Sequence, residues 1–542
     1  MSFSTTNFLL SGTKRRTTFA EPILLLLSFI FISKMPTSAY LPVTILLPAI
    51  GAAVLWIKDS SDRALSSRVK DREYALYATL LTFLVSTLLL VNFDHLTTLP
   101  FVGSQAPLNH TVTSTDSGAG HKGILVDIGW KSIISLSFTL GIDSLSLWMI
   151  LLTTFLFPVC VLVCWQNPRL NSKEIMSMLL ILETMLIALW SVQDLLCFYI
   201  LYESVLFPLF YIIGYGGSRE RKIRAAYLLV LYTFIGSLFM LPCVLAIYSE
   251  AGTTDLELLI HTDFSLSRQK ILWWGLFLAF AVKIPMIPFH IWLPEAHVEA
   301  PTAGSVLLAG VMLKLGGYGY IRYSQTILYD ACVFYSPFCI TISLIAIIYA
   351  SLTTLRQVDL KKLIAYSSVA HMGLVTAGIF SLNYTSSQAA IFIMLCHGLV
   401  SPALFILVGA LYDRYHTKLL KHYGGFSQTM PIFSVFFFLF TLANMAIPLF
   451  PNFIAEFLAL CGVFRSHFWA ALLMCIGIIL SAVYSLWAYA RVVHGIPSAY
   501  INAVCDLNRR EFWILLPIFV VTMWLGICPT FLLSSIEQTF LI

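Results

Sequence analysis

Apolar runs recur along most of this chain, and they are too long for the amphipathic helices of a soluble core. Stretches of Leu, Ile, Val, Phe and Ala alternate with short polar or basic segments from residue 40 to residue 536. Most reach the roughly 17–25 residues that a helix needs to cross a bilayer's hydrocarbon. About 14 spans are predicted: 40–57, 74–92, 143–165, 174–192, 194–215, 225–248, 271–293, 302–323, 331–354, 362–381, 387–412, 430–463, 467–490 and 512–536.

Two of these runs are interrupted. The seventh carries Lys283 at mid-depth, then Pro285 and Pro288, then His290, Glu295, His297 and Glu299. A lone charge at that depth costs roughly 2.5–3.5 kcal/mol on insertion scales, and the prolines break the backbone ladder. The twelfth repeats the device, with Ile447-Pro448-Leu449-Phe450-Pro451 echoing Ile284-Pro285-Met286-Ile287-Pro288 and Glu456 close by. Broken spans five helices apart point to two five-helix repeats. An odd number of spans per unit makes them inverted, and paired broken helices in inverted repeats mark an ion pathway.

The expected architecture is therefore an all-α polytopic membrane protein with about 14 core transmembrane helices, two inverted five-helix repeats and broken helices 7 and 12. Its divisions are an N-terminal extension, 1–38, with a possible short extra helix; helices 1–3, 39–173; repeat A, helices 4–8, 174–323; repeat B, helices 9–13, 331–492; and a C-terminal segment with helix 14, 493–542.

Composition agrees: 59% of residues are hydrophobic and 11% charged, against about 25% charged in soluble domains. Charge then orients the spans. With the first loop on the inside, inside loops hold 20 Lys and Arg; outside loops hold 6, namely Lys122, Lys131, Arg268, Lys270, Arg322 and Arg465. That bias predicts both ends of the core outside. Residues 1–18 are rich in Ser and Thr, carry Lys14, Arg15 and Arg16, and lack acids, as organellar targeting peptides do.

The 11 cysteines lie mostly in spans without metal-ligand spacing and read as small buried apolar residues. Neither a dinucleotide fingerprint nor a phosphate-binding loop motif is present, so redox or nucleotide chemistry belongs to partners.

The ionisable residues within spans carry the candidate chemistry. They are Glu183, Glu203, Lys283, Lys314, His371, His397 and Glu456. Facing lipid, each charge would be costly, so the set is expected to line the bundle interior as a proton relay. Glu203 beside Lys283 would act as a push–pull pair, because the state of the carboxylate changes the proton affinity of the lysine. The alternative for that pair is a static ion pair; for either histidine it is a structural hydrogen bond, and for Glu183 a relay role is weaker still.

Residues 283–305 followed by 308–316 resemble the signature of the antiporter-like subunits of respiratory complex I, and 353–373, 141–146 and 217–227 resemble its mitochondrial members, especially plant- and algal-type versions. The resemblance spans residues 39 to 540. It implies a 14-helix proton-pumping subunit of the membrane arm in the mitochondrial inner membrane, with no redox centre of its own. FMN, iron-sulfur clusters and ubiquinone would lie in partner subunits. Its partners would be other membrane-arm subunits, including neighbouring antiporter-like chains, and membrane lipids, with no nucleic acid. It further implies Glu203 and Lys283 as a modulating pair, Lys314, His371 and His397 as a central axis, and Glu456 as the distal acid.

The chain departs from that family's pattern in three places. Around the twelfth-helix break Leu449 and Ala455 stand where glycines are usual, Pro402 replaces a small residue in helix 11, and residues 1–38 have no counterpart. Two other readings are a multisubunit cation/proton antiporter subunit, against which the 359–362 segment argues, and a non-pumping membrane scaffold. A scaffold would gain stability from apolar replacements of the buried charges.

Overall fold

The computed structural model describes residues 39–57, 65–98, 124–128, 138–165, 173–217, 220–496 and 505–540. The N-terminal extension and its possible extra helix lie outside the described residues. Twelve helices among the described residues are long and apolar enough to cross a membrane. In chain order they are α1 Tyr40–Ile57, α2 Leu65–Thr98, α3 Ser144–Cys164, α4 Lys173–Ser191, α5 Leu195–Gly216, α6 Lys222–Ala251, α8 Thr302–Ile327, α9 Tyr329–Leu355, α10 Leu360–Phe380, α11 Tyr384–Tyr415, α13 Phe468–Val493 and α14 Arg509–Ile527. The two interrupted elements complete the series as helix pairs, α7a Leu266–Lys283 with α7b Trp292–Glu299 and α12a Pro431–Asn444 with α12b Pro451–Ser466. The chain continues into α15, Thr530–Phe540. One feature was not anticipated: strands Ile124–Ile128 and Phe138–Ile142 form an antiparallel hairpin ahead of α3.

Burial ranks the helices. The apolar windows of α8 and α11 are 100% enclosed and that of α10 94%, whereas α6 and α14 bury 33%. The peripheral helices keep an apolar face outward, with Phe207, Ile271, Trp469 and Trp513 exposed, as lipid contact requires and water forbids. The centre thus consists of helices carrying Lys314, His371 and His397. Arg414 on α11 donates to both carboxylate oxygens of Glu511 on α14, at 3.1 and 2.6 Å, and so ties the centre to the rim.

Both breaks use one backbone turn. In the first, the amides of Ile284, Met286 and Phe289 donate to the carbonyls of Phe280, Ala281 and Met286. In the second, Met445, Ile447 and Phe450 donate to Thr441, Leu442 and Ile447. The correspondence therefore pairs Pro285 with Ala446 rather than with Pro448, and Lys283 with Asn444. The proline echo marked the right place in a register two residues off, because the turn is set by where the helix stops and not by which residue stops it.

Side chains bond carbonyls at and just ahead of the first break. Trp292 Nε1 donates to the freed Val282 carbonyl at 3.0 Å, as a break at membrane depth demands, while Tyr202 Oη and Tyr320 Oη add second bonds to the helical carbonyls of Ala279 at 2.9 Å and Phe277 at 3.0 Å. At the second break Pro451 is the first residue of α12b, where its missing N–H costs nothing. Leu449, in the place of the family's usual glycine, has φ 89°, a conformation costing a non-glycine residue about 1–3 kcal/mol. Gly526 of α14 seats against it: a Cβ there would lie 2.0 Å from the Leu449 carbonyl oxygen.

Gly526→Val is expected to force α14 off the break and to lower the yield of folded protein sharply. Leu449→Gly should raise thermal stability, by roughly 1–2 kcal/mol. Thermal unfolding of the assembled protein checks both.

Candidate functional site

Lys283 ends α7a, and its 2% exposure leaves the ammonium dependent on protein acceptors. It donates to the Tyr202 carbonyl at 2.6 Å and lies over that tyrosine's ring. Glu203, the next residue on α5, is half-buried. Its oxygens accept no hydrogen bond, and Lys283 lies beyond ion-pair distance. The pair read from the sequence is thus not in direct contact. Consecutive helix positions point about 100° apart, so Tyr202 meets the broken end while Glu203 turns aside.

Further in, α8 departs from α-helical pairing. Leu308–Met312 and Tyr320–Ser324 are π turns on either side of Lys314. Such bulges widen a helix and recur at functional sites. Lys314, fully buried, donates to the Ala309 carbonyl of the first π turn and meets His397 Nδ1 at 2.9 Å. Gly316 lets α8 approach α7a here, since a Cβ on it would lie 2.7 Å from the Phe280 carbonyl.

The contacts continue from α8 across α11 and α10 to α12b. The His397 and His371 rings are 5.7 Å apart. His371 Nδ1 lies 3.1 Å from Glu456 Oε1, both side chains being 3% exposed, and Tyr484 Oη lies 3.5 Å from His371 Nε2. Four of the six residues predicted from sequence therefore form one chain, Lys314–His397–His371–Glu456. Its order enters His397 before His371, because α11 lies between α8 and α10 at this level. Pro402 leaves α11 unbroken from Tyr384 to Tyr415.

Glu183 falls elsewhere. It accepts from Thr82 at 2.7 Å in a separate seam where Ser86 also meets Thr154 at 2.8 Å. Sequence reasoning missed Tyr202, Tyr484 and Asn444, which carry no charge. Only the echo between the two breaks, set in its structural register, would have pointed to Asn444.

The arrangement is a run of buried, protonatable groups that end in a carboxylate, without the convergent oxygens a hard cation needs. Against known proteins, residues 192–481 match the family model described as NADH:quinone oxidoreductase/Mrp antiporter, TM. NADH-ubiquinone oxidoreductase chain 4 of Chondrus crispus is 48% identical over 495 residues, 91% of this chain and 95% of that one. The Arabidopsis thaliana protein of the same name is 49% identical over 498 residues, with the same shares covered. The chain belongs to the NADH-ubiquinone oxidoreductase chain 4 family. The fold of this family member is also that of a chain in respiratory complex I from Thermus thermophilus with bound NADH, with a TM-score of 0.79 at 24% identity, covering 92% of this chain and 97% of that one. A chain of the Mrp complex from Dietzia sp. DQ12-45-1b matches with a TM-score of 0.78 at 18% identity, covering 93% and 97%.

Tyr484→Phe keeps the ring and removes the hydroxyl beside His371. A single long hydrogen bond is worth about 0.5–1.5 kcal/mol, so proton-pumping rates in sealed vesicles are expected to fall less than about tenfold.

Proposed function

We propose that this chain carries protons through the membrane arm of the mitochondrial NADH:ubiquinone oxidoreductase, as a multi-pass antiporter-like subunit of the inner membrane. FMN, iron-sulfur clusters and ubiquinone belong to partner subunits, and its neighbours are other membrane-arm chains, antiporter-like ones included, and lipid. The observation that carries the reading is the run Lys314–His397–His371–Glu456, two close polar contacts linked by neighbouring histidine rings, three of its four residues on the most enclosed helices. Proton transfer asks for donors and acceptors about 2.6–3.2 Å apart or joined by one water, and the two closest links meet that at 2.9 and 3.1 Å.

Glu203 and Lys283 form the modulating element. Their separation suits that role, because a carboxylate that acts at a distance changes the lysine's proton affinity without sealing it in an ion pair. The matched turns at Lys283 and Asn444 support two inverted five-helix units. Relatives at 48–49% identity carry the chain 4 name, which favours this reading over a free-standing antiporter subunit. The buried charges speak against a scaffold, since apolar replacements of similar size would be neutral or stabilising by about 1–4 kcal/mol.

Lys283→Ala or Glu203→Ala should cut proton pumping and the quinone reduction coupled to it while the complex still assembles; a wild-type pumping rate in assembled complex would refute the relay. Glu456→Gln, nearly isosteric, should impair pumping as well. An unchanged rate there would remove Glu456 from the path.

A further inference from the structure

At the end of the bundle that the charge pattern puts outside, a cavity of about 560 Å³ opens between the start of α3, the loop ahead of α5, the turn after α6 and the junctions of α8 with α9 and of α10 with α11. Gln193 and Arg322 line it, 5% and 7% exposed. Gln193 Oε1 and Arg322 Nε have no hydrogen-bond partner among the described residues, and one is an acceptor, the other a donor. Other amides in the lining are engaged: Gln325 Nε2 donates to the Ile379 carbonyl at 2.8 Å and Asn383 Nδ2 to that of Gly462 at 2.9 Å.

Both side chains are held in place. The Gln193 amide donates to the Thr139 carbonyl at 3.1 Å and its carbonyl accepts from Leu256 at 3.3 Å. Its Nε2 end lies against Gly141, where a Cβ would come within 2.0 Å, so the carbonyl end of the side chain turns away from that strand. Arg322 sits in the second π turn of α8 and pairs with Asp143 through Nη1, which leaves its Nε–H unspent. Buried polar groups without partners are rare and costly, and two of opposite sense lining one cavity favour a ligand that carries both an acceptor and a donor. Glu257 lines the cavity too, so two carboxylates accompany one guanidinium, a balance that disfavours a bare anion. Tyr329 and Tyr384, at the starts of α9 and α11, set the mouth at the depth where tyrosines mark the lipid headgroups, and Leu256, Ile260 and Leu382 make much of the remaining lining apolar.

We infer that this cavity binds a phospholipid headgroup bearing a primary ammonium, as in phosphatidylethanolamine. Arg322 Nε–H donates to a phosphodiester oxygen and the ammonium donates to Gln193 Oε1, while Asp143 and Glu257 balance its charge. A quaternary ammonium, as in phosphatidylcholine, has no N–H for Gln193. Cardiolipin brings two negative charges and no cation to a lining already short of positive charge. The site requires nothing of the relay.

The test uses the assembled complex in phosphatidylcholine bilayers doped with a phosphatidylethanolamine that carries a diazirine near the top of one acyl chain. After illumination, labelled peptides are sequenced by mass spectrometry. Label is expected within 256–260 or 382–387, which line the cavity, about tenfold or more above that from phosphatidylcholine or cardiolipin with the same diazirine, the scale of one charge-assisted hydrogen bond. Unlabelled phosphatidylethanolamine should compete it away and inorganic phosphate should not. No label on either segment overturns the site, as does equal labelling by phosphatidylcholine, which makes it a general lipid contact, or competition by inorganic phosphate, which makes it an anion site. Arg322→Lys keeps a cation for Asp143 and removes the Nε donor, so labelling per assembled complex should fall about tenfold; labelling at the wild-type level overturns the assignment. Should that variant not assemble, Gln193→Met, similar in length but lacking the carbonyl, decides in the same way, and the comparison of the three lipids in wild type needs no variant.

Discussion

The structure depends on satisfying a broken backbone where no bulk water can do it. A helix that stops inside a bilayer leaves carbonyls and amides unpaired, each costing several kcal/mol in hydrocarbon. At Lys283, Trp292 meets the freed Val282 carbonyl, Tyr202 and Tyr320 brace the helical carbonyls just ahead of it, and the lysine ammonium itself closes on the Tyr202 carbonyl. Tyr202 therefore acts twice, its hydroxyl bracing the Ala279 carbonyl one turn ahead of the break and its carbonyl holding the charge. Central placement of the break follows, since only a site wrapped by neighbouring helices can supply so many partners.

The two halves answer the same constraint with different residues. Around the first break the caps are aromatic side chains. Around the second, Pro451 opens the new helix without a missing bond, Leu449 holds a φ of 89°, and Gly526 of α14 leaves room for the Leu449 carbonyl. The polar groups differ accordingly. Lys283 ends the first half-helix, whereas neutral Asn444 ends the second and leaves the acidic role to Glu456 across the break. On the proposed reading this makes the path asymmetric, with a separated pair at one end and, from Lys314 to Glu456, two close polar contacts linked by neighbouring histidine rings.

Much of this was legible along the chain. Lysines, glutamates and histidines within apolar spans are expensive, so each one stands out without knowledge of its neighbours, and four of the seven chosen this way come together in one run. Glu203 is a partial exception: being next to Tyr202, it was right in span and wrong in contact, because helix geometry turns consecutive side chains apart. Tyr202, Tyr484 and Asn444 gave no comparable signal. Tyrosines and asparagines are unremarkable in membrane helices until their neighbours are known, and the π turns flanking Lys314 leave no residue signature.

The sequence by itself determined the all-helical membrane architecture, the positions of the two breaks and the buried charges, because hydrocarbon penalises every polar group within a span whatever it packs against. Tertiary structure decided which of those charges touch. Lys314 finds His397 rather than Lys283, and His371 finds Glu456, because α8, α10 and α11 cross at the centre of the bundle. Contact between helices distant in sequence depends on those crossings, to which the penalty of burial, felt by each residue alone, is indifferent.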